Sequence, residues 1–162
     1  MYGVIAKKSK TGCFTFMDEV FEALGSVGRE YNWLLSDIEC AHYPSEKIKY
    51  DDIKFENSFV FLDGNTLYDI VYKDHFQFIW GVFTAFKKDI TAKQIAEYPL
   101  PYADGNPDFW EPEIKLQNPH GEIEIVAWDS TLFLVIAKDE TLIEKFKEAY
   151  PSAVDLAEYN RG

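Results

Sequence analysis

The stretch from Phe76 to Phe86 constrains the fold more than any other part of this chain. Read as a strand, it sets Phe76, Phe78, Trp80, Val82 and Thr84 on one face and Gln77, Ile79, Gly81, Phe83 and Ala85 on the other. Both faces are largely apolar, which is the pattern of a strand with neighbours on either side of it in a sheet. A chain of 162 residues buries about two thirds of its unfolded surface around one core, so a single domain over residues 1–162 is expected.

The elements around that strand follow from periodicity. Phe14, Met17, Val20, Phe21 and Leu24 fall at helical spacing, Thr15 and Asp18 have the spacing of a capping box, and Gly25 and Gly28 supply a stop. A helix over 15–25 is expected. Tyr31 to Glu39 and Ser58 to Leu62 read as strands separated by a charged loop. In Asn65 to Lys73, the positions of Leu67, Ile70 and Val71 favour a helix over the hairpin suggested by Asp63-Gly64. Thr91 caps a short helix reaching Tyr98. Five breakers, Pro99, Pro101, Gly105, Pro107 and Pro112, then make a long irregular loop.

After the loop, Glu113 to Gln117, Glu122 to Trp128 and Thr131 to Ala137 read as three strands of a meander. Glu122 and Glu124 alternate with Ile123 and Ile125, so one face of the middle strand is expected to be acidic and wet. A last helix from about Asp139 carries Leu142, Ile143, Phe146 and Tyr150 on one stripe and stops before Pro151. The order predicts an α+β fold: a mainly antiparallel sheet with a C-terminal three-strand meander and helices packed on one face.

Charge narrows the partners. The net charge is −12, of which −8 falls in residues 100–162, and arginine occurs only at Arg29 and Arg161. Nucleic acid and anionic lipid need clustered Lys and Arg, so neither is expected as a ligand. The start of the chain lacks the pattern of a secretory signal, and no run of 18 apolar residues suggests a membrane span. Cys13 and Cys40 read as reduced thiols of a cytoplasmic protein, and neither has partners at zinc-finger spacing. No metal or cofactor is expected.

Catalytic motifs are missing: there is no phosphate loop, no dinucleotide fingerprint and no nucleophile elbow. Cys40 and His42 form the sole sequence-local pair of nucleophile and base, and His75 and His120 are scattered. The irregular loop is the better candidate, because long loops inside compact domains are disproportionately functional. It gathers Tyr102, Asp104, Asp108, Phe109, Trp110 and Glu111. With Glu122 and Glu124, these are the expected partner-binding residues, although Phe109 and Trp110 equally suit a plug at the core's edge.

Tyr31 to Leu35, then Phe78 to Phe86, then Trp128 to Asp139 followed by a Leu-Ile-Glu-Lys-Phe helix resemble small uncharacterised bacterial proteins. The resemblance implies a bacterial origin and carries no activity to any residue. In size, acidity and lack of catalytic motif the chain is also similar, as a class, to the immunity proteins that neutralise bacterial toxins. The expected function is therefore a non-catalytic, acidic, cytoplasmic binding protein that occludes a basic toxin or another cationic partner, steered by charge and held by aromatic anchors. Two alternatives stand beside it: a small-molecule binder or enzyme with an aromatic pocket that includes Cys40, His42 or His75, and a subunit whose aromatics pair with a second copy.

Overall fold

The computed structural model describes residues 1–7, 15–43, 59–73 and 75–162, with backbone alone at 41–43 and 75. Cys13, Phe14 and the charged loop between the second and third strands lie outside the described residues. Among the described residues the strands are β1 (Tyr2–Ala6), β2 (Asn32–Tyr43), β3 (Phe59–Asp63), β4 (His75–Phe86), β5 (Gly121–Trp128), β6 (Leu132–Ala137) and β7 (Val154–Asp155). The helices are α1 (Met17–Leu24), α2 (Gly64–Lys73), α3 (Ala92–Ile95), α4 (Glu140–Ala149) and α5 (Leu156–Arg161). The strands form one antiparallel sheet in the order β3-β2-β4-β5-β6-β1-β7. The fold is α+β, as the element order predicts, and β4 lies between β2 and β5.

The longer helices α1, α2 and α4 pack on one face. There Met17, Val20 and Phe21 of α1, Leu67 and Val71 of α2, and Leu142, Ile143 and Phe146 of α4 share a core with Val4, Trp33, Phe83, Ile125 and Val135 of the sheet. Phe21 is its hub, with ring centroids 5.2 Å from Trp33, 5.0 Å from Tyr68 and 6.1 Å from Phe83. On the opposite face Ile5, Val82, Val126, Leu134 and Ile136 are covered by Ala103, Phe109 and Leu116 of the irregular segment and by Leu156 of α5. Short α3 sits beside it, packing Ile95 on Leu34 and Phe86.

Two expectations about alternation need correction. In β4, Phe76 and Phe78 face the helices, but so do Phe83 and Ala85. The register between β2 and β4 shifts between Ser36 and Glu39 and again between Glu39 and Cys40, so each strand carries a bulge that reverses its faces. On β2 the bulge contains Asp37 at φ 52, a left-handed conformation that Asp tolerates better than most residues. In β5, Glu124 is 0% exposed instead of wet.

The meander also differs in membership. It consists of β4, β5 and β6, neighbours in sequence and in the sheet, whereas Glu113 to Gln117 is not a strand. Direct pairing of β4 with β5 leaves that segment no ladder to join, and the Gln117 N–H bonds to the Glu124 carboxyl instead. At α1 the expected capping box is not formed, and the Thr15 hydroxyl donates to the Phe78 carbonyl. The Asp63-Gly64 hairpin signal gives way to a helix start, with Asp63 Oδ1 accepting from Asn65 N (3.0 Å) and Thr66 N (3.2 Å).

Candidate functional site

Residues 98–118 cross the second face of the sheet as a strap. An irregular segment over a core must find partners for its backbone groups outside any ladder, and here side chains from below supply them. The bulge at Asp37 turns its carboxylate toward the strap, where Oδ2 accepts from Ala103 N (2.7 Å) and Asp104 N (2.9 Å). Ser36 Oγ donates to the Pro101 carbonyl (2.7 Å). Asn160 of α5 donates to the Phe109 and Glu111 carbonyls (2.9 and 2.8 Å).

Within the strap, Gln117 is the knot. Its Oε1 accepts from Tyr102 N and from Asn106 Nδ2, both at 3.0 Å. Its backbone N and its Nε2 donate to the two carboxyl oxygens of Glu124, both at 3.2 Å. Asn106 Oδ1 accepts from Asp108 N (3.0 Å) and opens the 3-10 turn Pro107–Trp110. Burial pushes the Glu124 carboxyl up to about 7, against the pull of the two Gln117 donors.

These ties present an acidic cavity of about 270 Å³ lined by Asp108, Phe109, Glu111, Glu113, Lys115, Leu116 and Gln117. Phe109 and Leu116 form apolar walls, while Asp108, Glu111 and Glu113 are exposed. Lys115 pairs with Glu113 at 3.1 Å; among the described residues no cation pairs with Asp108 or Glu111. A second cavity of about 410 Å³ lies further along the strap, lined by Leu34, Phe59, Phe61, Ile95, Tyr98, Leu100 and Asn118 among others. Its lining is mostly apolar, and Phe59 and Phe61 are 48% and 40% exposed there. Gln117 of the first cavity and Asn118 of the second are adjacent in the chain.

Of the expected site residues, the structure brings together Asp108, Phe109 and Glu111 at the first cavity. Phe109, 3% exposed, is a core plug whose ring meets Trp128 edge-on at 6.1 Å. Trp110 is half-buried, 4.8 Å from Trp128 and 6.4 Å from Tyr159. Tyr102 and Asp104 are exposed beside the Asp37 anchor. Glu122 is apart from them, paired with Lys138 (3.2 Å) and Lys87 (3.7 Å). Glu124 is buried beneath Gln117 and presents no surface to a partner, because the strap covers the face that alternation left open. Sequence reading missed Glu113, Gln117 and the apolar cavity; the alternation of Phe59 and Phe61 with Val60 and Leu62 was the available signal.

The thiol alternative loses ground. Cys40 is partly buried against the helix-side core, and burial pushes its thiol up, away from the reactive thiolate. The backbones of His42 and His75 lie on adjoining strands, His42 opposite Phe76 and His75 opposite Tyr43; their side chains lie outside the described residues. Among the described residues no helix is long and apolar enough to cross a membrane, and no three His, Cys, Asp or Glu side chains gather to hold a metal ion.

No family model, curated protein or solved structure matches this chain. The geometry of the strap therefore carries the functional reading.

The strap's anchor has a measurable weight. Asp37→Ala removes the acceptor of two backbone N–H groups and leaves a non-Asx residue at positive φ, so unfolding in urea is expected to show a loss of about 2–3 kcal/mol. Asp37→Asn retains an acceptor and tolerates the conformation, and is expected to lose less than half as much.

Proposed function

We propose that this chain is a non-catalytic binding protein that captures a basic partner with the strap face, in the manner of immunity proteins that occlude bacterial toxins. The observation that carries the reading is the acidic cavity, in which Asp108, Glu111 and Glu113 surround apolar walls on a segment held by side chains beneath it. A lysine or arginine of the partner fits such a cavity, its aliphatic stem against Phe109 and Leu116 and its charge among the carboxylates. The neighbouring apolar cavity accepts a large apolar side chain of the same partner, an anchor of the kind that dominates interface energetics. The net charge of −12 steers a basic surface toward this face, and a strap already fixed before binding limits the ordering cost. Inhibition then follows from covering the partner's own site, with no turnover by this chain, in the cytoplasm of a bacterial cell.

The test is recovery of the partner from a lysate of the source cells at low salt and at about 0.5 M salt, where charge steering is screened, followed by calorimetry on the purified pair. A basic partner whose affinity falls about 100-fold or more with the combined Asp108→Asn, Glu111→Gln and Glu113→Gln substitutions supports the reading. Recovery of no partner, or full affinity in the substituted protein, overturns it.

A second reading rests on the apolar cavity alone. Its 410 Å³ lies within the range of small-molecule sites, and Asn118, a polar residue in its lining, is already engaged with Ile95 and His120. An apolar ligand with few hydrogen-bonding groups suits it, and a thermal shift abolished by Phe61→Asp would favour this reading.

A further inference from the structure

We propose that Glu124 is a proton-operated latch beneath the acidic cavity: protonated, it bridges Gln117 to Thr84 and shuts the strap; ionised, it favours opening of the strap to water. Three observations on one spot carry the inference. Glu124 is 0% exposed, and each of its oxygens accepts from Gln117, the residue that also receives Tyr102 and Asn106. Directly across the ladder from Glu124 stands Thr84, equally buried, whose Oγ1 has no hydrogen-bond partner among the described residues. Directly opposed residues of an antiparallel pair hold their Cβ atoms about 5 Å apart. A protonated Glu124 thus has an acceptor within a small side-chain rotation, and Thr84 loses its orphan status.

The surroundings leave no other use for the charge. β6 presents Ile136 opposite Glu124 on the other side, and the strap presents Gln117. Of the charged groups on the elements packed around it, Glu122 pairs with Lys87 and Lys138, Asp37 takes the Ala103 and Asp104 amides, and Glu113 pairs with Lys115. Asp104, Asp108 and Glu111 of the strap are exposed and bear the same sign of charge as an ionised Glu124. An ionised Glu124 under the closed strap is therefore a buried charge without a counterion among the described residues, and water reaches it when Gln117 lifts. Lifting Gln117 also removes a wall of the acidic cavity. As a regulator of that cavity the latch rests on the capture reading. Its test contains no partner, so failure of one is distinguishable from failure of the other.

The experiment is hydrogen exchange of the intact chain by NMR, each amide corrected for its intrinsic pH-dependent rate. The protection of the Gln117 and Tyr102 amides is expected to fall about 30-fold from pH 5.5 to pH 8, the ratio that linkage gives for a carboxyl that is near neutrality when closed and ordinary when open. Glu124→Gln, which carries no ionisable proton, accepts one of the two Gln117 donors at its single amide oxygen and donates to Thr84 through its NH2, and is expected to show the same protection at both pH values. Thr84→Val removes the acceptor of the acid proton and is expected to move the midpoint of the fall to lower pH. Equal protection at both pH values in the unsubstituted chain, an equal fall in Glu124→Gln, or an unmoved midpoint in Thr84→Val would each overturn the latch. Should Glu124→Gln not fold, the other two measurements still decide.

Discussion

Replacing Trp33 with alanine is expected to lower the unfolding free energy by about 4–5 kcal/mol, the upper range for loss of a large buried aromatic. Trp33 is completely buried in β2, packed on Phe21 at the meeting of α1, α2 and the sheet. Its indole N–H also donates to the Gly28 carbonyl at 2.8 Å, fastening the 3-10 turn Gly25–Glu30 that follows α1. Alanine leaves both a cavity and an unpaired buried carbonyl, and the second alone is worth about 1–3 kcal/mol.

The site has little room to collapse. A Cβ added at Gly28 would overlap the Tyr68 hydroxyl, and one at Gly64 would come within 2.5 Å of the Gly28 carbonyl oxygen. The turn and the start of α2 already touch backbone to backbone. Trp33→Phe keeps much of the packing and loses the hydrogen bond, so about half of the alanine effect is expected. Urea unfolding followed by circular dichroism measures both; an alanine effect below about 2 kcal/mol would mean that the helix-side core does not depend on this ring.

Much of this core was legible because its signals are local and periodic. The stripe Leu142, Ile143, Phe146 and Tyr150 is buried as read, with Asp139 capping its helix at Thr141 N (2.9 Å). Thr91 and Gln94 form the capping box of α3. The two apolar faces of β4 belong to a strand with neighbours on both sides. What escaped depended on distant groups. Thr15 and Asp18 have capping spacing, but the Thr15 hydroxyl is taken by Phe78, 63 residues away. Gly3 to Ala6 is a short apolar run that becomes strand β1 only because β6 and β7 flank it. Nothing between Ser36 and Glu39 announces a bulge except an Asp able to adopt positive φ.

The geometry of the candidate site was legible in the same partial way. Composition located Asp108 and Glu111 on an irregular, acid-rich segment, and both line the acidic cavity. It could not say which aromatic of that segment points inward, and Phe109 does. Alternation assigned Glu122 and Glu124 to one face correctly, since both project to the strap side of β5. Their exposure was decided by what lies above them: the segment ending in Gln117 covers Glu124, whereas Glu122 emerges beside Lys138.

That covering makes Glu124 the residue whose substitution is expected to change the pH dependence of stability most. Its carboxyl stands near 7 in the folded chain, against 4.5 for an ordinary glutamate. Between those values the folded chain holds a proton that the unfolded chain has released, so stability falls as pH rises, the reverse of the behaviour of a salt-bridged carboxylate. The contribution is complete below pH 4.5 and lost above about pH 7, a change of about 3 kcal/mol. Asp63 and Asp139, held low by Thr66 and Thr141, act in the opposite sense, but they are exposed and titrate below this window. Glu124→Gln leaves one of the two Gln117 donors without its acceptor, and its stability relative to the unsubstituted chain is expected to rise by about 3 kcal/mol between pH 4.5 and pH 8, read as the difference between two urea unfolding series. Glu124→Leu separates charge from hydrogen bonding: it too is insensitive to pH, but it strands both Gln117 donors and is expected to be the less stable of the two variants at every pH. A stability gap between Glu124→Gln and the unsubstituted chain that stays constant from pH 4.5 to pH 8 would show that the buried carboxyl ionises no differently in the folded and unfolded chains.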